Sequence, residues 1–205
     1  HSSPARIPFG FVDFAYLMSD CPATHFKENL MFEARIIIAD TAQISLPRGG
    51  ASIYASSPID LASILLFGAP AAALIEASAT LLSEVFIQRR PAVRIAFNVP
   101  LLIITVGLAG LVYQSFGPTW TSLDSPRFLV PLFFCGLVYY LVNTVSISTV
   151  IGLMDGKNPF RIWKQNYMWN FFHILAFLPL AAIIALVYLK SGMWTIALFV
   201  VPLFL

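Results

Sequence analysis

From residue 128 to residue 154 the chain carries no Asp, Glu, Lys or Arg, and the same is true from 95 to 123 and from 165 to 189. A bilayer core is ~30 Å thick and takes about 20 apolar helical residues to cross. In lipid the backbone must satisfy its own N–H and C=O groups, so runs of this kind have helices as their stable form. The expected fold class is therefore all-α, a polytopic membrane helix bundle of about six transmembrane helices.

Composition agrees. Hydrophobic residues make up 59%, charged residues 11%, and the mean hydropathy is +0.82. Soluble domains carry about a quarter charged residues. At 205 residues, several spans make one bundle. A net charge of +2 gives no ground for a nucleic-acid partner. The bilayer and other membrane helices or subunits are the expected partners. Cys21, Cys135, His1, His25 and His173 are scattered, so neither a metal nor a cofactor is expected. The turn-like RGG at 48–50 lacks the helix and the Lys-Ser/Thr of a phosphate loop. No HExxH or GxSxG sequence occurs, and no catalytic residue or enzyme activity is expected.

Along the chain, 1–45 reads as an irregular N-terminal segment, broken by Pro4, Pro8 and Pro22 and ending in a weak first span, 34–44. The transmembrane bundle occupies 46–205. It opens with LPRGGASIYASSP, residues 46–58, whose turn signals and Ser-x-Tyr alternation suggest an extended loop or small hairpin. The run 59–67 closes on Gly68, and Pro70 suits the first turn of a new helix reaching about Ile87. The two pieces read as a short helix plus a span, or as one long tilted helix. Further spans are expected at 92–113, 128–153 and 167–189, with another starting at Met193. That last stretch holds about 13 residues, too few to cross, so the chain is expected to continue past Leu205.

The loops carry the orientation signal. Arg89, Arg90 and Arg94 crowd one loop; Lys157, Arg161 and Lys164 crowd another; 114–127 has only Arg127. Basic loops stay in the cytoplasm, which places the C-terminus there too. The expected location is a bacterial cytoplasmic (inner) membrane, crossed several times.

Polar residues inside the spans mark the candidate site. Ala72, Glu76, Thr80 and Glu84 recur every fourth residue and share a helix face, as do Asn166, Asn170 and His173 on another helix. Counted from the basic loops at ~1.5 Å per residue, Glu84 lies ~6 Å deep, Asn98 ~9 Å, His173 ~10 Å, Asn143 ~15 Å and Glu76 ~18 Å. The expected ligand, proton or ion pocket is lined by Glu76, Asn98, Asn143, Asn170 and His173. The rival reading is hydrogen-bonded glue between helices, worth under about a kcal/mol per residue. A mid-membrane carboxyl must face inward under either reading. Ala69, Ala73 and Ala77 make a small-residue packing face, with Gly107 and Gly110 in a similar role.

The stretch LPRGG…FN (46–98), AGLVY (109–113), LVYYLVNT (137–144) and FRIWKQNYMW (160–169) resemble a known arrangement. It is the multi-spanning, sensor-like membrane region that precedes HD-GYP phosphodiesterase or GGDEF domains in bacterial signalling proteins. The resemblance covers about 44–205 and implies a sensory or anchoring module for a C-terminal cytoplasmic effector. Those relatives have small residues where Glu76 stands, and clear spans before LPRGG. One segment is also similar to the substrate-binding subunits of energy-coupling vitamin transporters. The alternatives to a sensory module are an accessory structural subunit of a respiratory or photosynthetic complex, and a small-molecule binding or transport subunit.

The loop charges generate a direct test. Single cysteines at 90 and 157 are expected to react with membrane-permeant reagents only, in intact cells. Labelling by an impermeant reagent from outside would overturn the orientation.

Overall fold

The computed structural model describes residues 57–123 and 125–191, with the backbone of two short strands before them. The expectations for 1–42, for the LPRGG turn itself and for the stretch from Met193 lie outside the described residues. Strands β1 (Gln43–Ser45) and β2 (Ser52–Tyr54) pair antiparallel, with Ile44 opposite Ile53. They flank LPRGG, where a small hairpin was expected.

The helices are α1 (Ser57–Leu82, continued by a wider π-helical turn, Ser83–Ile87), α2 (Ala92–Ser115), the short α3 (Pro118–Thr121), α4 (Leu129–Asp155), α5 (Pro159–Asn166) and α6 (Asn170–Ser191). Four segments among the described residues are long and apolar enough to cross a membrane: Ser57–Ile87, Ala92–Ser115, Pro126–Asp155 and Asn170–Lys190. About six spans were expected, and four of that length lie among the described residues.

The first of these segments is not one straight rod. Gly68 has φ 77° and ψ 174°, a conformation that side chains other than hydrogen rarely tolerate. Pro70 follows, placed where its missing N–H costs nothing because a new helix is starting. Asp60 and Glu76 line the same small cavity. On a straight helix sixteen residues would separate them by ~24 Å. The chain therefore reverses at Gly68. Residues 57–67 form one arm, and 69–87 return beside it as the membrane-length arm. The reading of a short helix plus a span holds, and the single tilted helix does not.

The first arm is buried all round. Ile59, Leu61, Ala62 and Ile64 are each at most 2% exposed. Around it stand α2, α4 and α6. The outer surface is apolar instead: Ile104, Leu108 and Leu111 on α2 point outward, while Thr105, Val106, Ala109 and Tyr113 on the same helix point in. This is the inside-out pattern that lipid contact permits and water does not.

Small residues set the approach of α1 to α2. A Cβ built on Gly110 would lie 2.6 Å from the Ala69 Cβ and 2.7 Å from its Cα, so the two backbones nearly touch. Ala72 and Ala79 are fully buried nearby. Gly107, expected to pack in the same way, has nothing within 4 Å of its would-be Cβ. It sits away from the contact face.

That contrast gives a paired test. Gly110→Ala is expected to lower the melting temperature in detergent, because overpacking costs about 1–3 kcal/mol. The helix-propensity gain of about 0.5–1 kcal/mol does not offset it. Gly107→Ala should melt at or slightly above the wild-type temperature. Equal melting of the two variants would refute the assigned contact.

Candidate functional site

The reversal at Gly68 brings Asp60 to the depth of Glu76 and builds a polar cavity inside the bundle. The cavity measures about 40 Å³. The first arm supplies Asp60, and the second supplies Glu76, Thr80, Glu84 and Gln88. From α2 come Asn98, Leu101 and Leu102; from α4, Tyr139, Asn143 and Ile147. Asp60, Glu76 and Glu84 are all buried, at 1%, 2% and 5% exposure. Among the described residues no Lys, Arg or His lines the space.

Each carboxyl is held by a donor. The Tyr139 hydroxyl donates to Asp60 Oδ2 at 2.7 Å. Thr80 Oγ1, one turn along, donates to Glu76 Oε1 at 3.0 Å. Asn98 Nδ2 donates to Glu84 Oε1, which ties α2 to the end of α1. The second oxygens, Glu76 Oε2 and Glu84 Oε2, are buried without a hydrogen-bond partner. Asp60 also sits in the first turn of its helix, where the dipole favours negative charge.

The far end of α1 has its own geometry. In the π-helical turn the Gln88 N–H reaches back to the Ser83 carbonyl at 2.9 Å, a five-residue step. Such wide turns rotate the side chains that follow them and recur at functional sites. Gln88 Nε2 donates to Ser83 Oγ at 3.1 Å and Gln88 Oε1 accepts from Arg90 Nε at 3.0 Å. Arg89 turns the chain with φ 50°. A guanidinium thus stands behind Gln88 at the mouth of the cavity, one hydrogen bond removed from it.

Of the five expected site residues, the fold brings three together: Glu76, Asn98 and Asn143. Asn170 and His173 are not among the cavity's lining residues. Helix α6 turns its small and aliphatic face inward, through Ile174, Leu178, Ala181, Ala182 and Ala185. That rotation leaves His173 exposed, its Nδ1 3.3 Å from the Trp169 carbonyl oxygen. Asn170 stays half-buried. Sequence reasoning missed Asp60 and Tyr139. One signal was available: Asp60 and Glu76 lie equally far from Gly68 on either side, which matters only once the chain is known to reverse there.

A second polar corner joins α4 to α5. Asn158 caps α5 by accepting from the N–H groups of Phe160 and Arg161. Trp163 Nε1 donates to Thr144 Oγ1 at 3.0 Å, and the Tyr140 hydroxyl donates to the Tyr167 carbonyl at 3.1 Å. Burial pushes the Tyr167 phenol above its ordinary range, so it stays a neutral packing group.

Chemically, the polar cavity has carboxyls that can exchange protons and room to hold water. Nothing in it is a nucleophile with an adjacent base. Among the described residues no three His, Cys, Asp or Glu groups are spaced to hold a metal ion.

Comparison with curated proteins and with solved structures gives no significant match. The MASE9 family model does match, over residues 24–205. That span takes in β1, β2, every helix and the whole of the polar cavity. The chain belongs to MASE9, a family of membrane-associated sensor domains.

Proposed function

We propose that this chain is the non-catalytic sensory module of a bacterial signalling protein. It sits in the cytoplasmic membrane with its two basic loops inside. It passes the state of its buried cavity to a cytoplasmic effector beyond Leu205, of the HD-GYP or GGDEF kind. The observation that carries this reading is the construction of the cavity. Its walls come from both arms of α1, from α2 and from α4, so its contents set how those elements pack. Membership of a sensor-domain family supports it.

Size weighs against the transport reading. Pockets for small molecules run to roughly 300–1,000 Å³. A cavity of about 40 Å³ has room for a few waters and no vitamin-sized substrate. The accessory-subunit reading predicts a different gene: a stop codon after Leu205 would support it, and an effector domain there would support the sensor.

The functional test uses the full-length protein in native membranes. Asn98→Leu removes the donor that ties α2 to Glu84. Effector output is expected to shift by about fivefold or more, the usual range of coupling between sites, while the protein still assembles. Output equal to wild type, in a variant that elutes as a folded species, would overturn the cavity as the sensing element.

A further inference from the structure

We propose that the groove between α4 and α5 seats one anionic phospholipid, its acyl chain lying along α4 and its phosphate held by Arg161 and Lys164. The groove shares no lining residue with the polar cavity, and the inference does not rest on the sensory reading.

The shape suits a hydrocarbon chain. The groove measures about 380 Å³, inside the roughly 300–1,000 Å³ of small-molecule sites. Leu141, Val145 and Thr149 recur every fourth residue and form one wall; Pro159, Phe160 and Trp163 form the other. From Leu141 to Thr149 the helix rises ~12 Å, so the groove follows a membrane-crossing segment along its length. The side-chain donors that line it are already spent. Ser148 Oγ donates to the Thr144 carbonyl and Thr149 Oγ1 to the Val145 carbonyl, each at 2.7 Å. Trp163 Nε1 is held by Thr144 Oγ1 at 3.0 Å, which leaves the indole ring as an apolar wall. A polar ligand would give up its water here for little return, whereas an acyl chain has none to give up.

The groove is held open by packing. A Cβ built on Gly152 would lie 2.8 Å from Pro159 Cγ and 2.9 Å from the Lys157 carbonyl oxygen, so the start of α5 is pressed onto the end of α4. Ile162 anchors the next turn, buried beside Ile147 and Ile151. Phe160 and Trp163 stack with ring centroids 6.0 Å apart. Phe160 nevertheless stays 68% exposed and Val145 47%.

Charge selects the lipid. On α5, Ile162 faces in while Phe160, Arg161 and Lys164 are exposed. Lys164 stands one turn from Phe160 and next to Trp163, and Arg161 follows Phe160, so both cations flank the aromatic wall. Short segments that combine Phe or Trp with Lys and Arg settle at headgroup depth. Asp155 is engaged by Lys157 at 3.0 Å, and no Asp or Glu follows it in the sequence to Leu205. Among the described residues neither Arg161 nor Lys164 has an ion pair. Basic sites beside membrane helices favour anionic headgroups, and a guanidinium matches two phosphate oxygens at once.

The test is native mass spectrometry of the full-length protein, released from nanodiscs of phosphatidylglycerol and phosphatidylcholine in equal amounts with matched chains. One phosphatidylglycerol is expected to stay bound. Arg161→Gln and Lys164→Gln should each weaken its retention by about fivefold. Val145→Trp fills the groove without touching either cation and should release the lipid as well. Arg127→Gln, on a different loop, should leave retention unchanged. Equal retention of phosphatidylcholine, displacement by inorganic phosphate, a loss in Arg127→Gln as large as in Arg161→Gln, or a dimer in place of the lipid adduct would overturn the proposal. Should Val145→Trp fail to assemble, the two charge variants decide, because both alter exposed side chains.

Discussion

The polar interior of the bundle depends on a reversal of the chain at Gly68, which brings Asp60 and Glu76 to one cavity. The first arm of α1 is short and has no lipid-facing surface to fix it. Its place is kept by apolar burial of Ile59, Leu61 and Ile64, by Gly68, and by the Tyr139–Asp60 hydrogen bond. Burying several aliphatic side chains in a protein interior and burying carboxyls are opposing terms of comparable size.

The spans were legible because the membrane imposes a length and a composition on them. Runs free of charge at 128–154 and 165–189 became α4 and α6 with little displacement. The i, i+4 recurrence of Glu76, Thr80 and Glu84 correctly placed them on one buried face, and depth counting brought Glu84, Asn98 and Asn143 to the same cavity. What stayed illegible was rotation. Depth says how far His173 lies along α6 but not which way it points, and the apolar face of Ile174, Leu178 and Ala182 decided that. Asp60 was hidden for a different reason. In sequence it stands in the first turn of an apolar segment, where an acid has a sufficient local explanation. It shares a cavity with Glu76 only because Gly68 folds the chain back.

The same geometry indicates how a change at the acids would travel. Tyr139 and Tyr140 are neighbours on α4 with different assignments. Tyr139 reaches Asp60 in the cavity, while Tyr140 donates to the Tyr167 carbonyl and lies against Trp163 and Phe171. Consecutive residues on a helix point about 100° apart and move as one body. A shift of α4 that relaxes the Tyr139–Asp60 contact must also displace the α4–α5 corner, where Trp163 holds Thr144. That corner carries Lys157, Arg161 and Lys164. α4 is thus the element that joins the cavity to the basic loop.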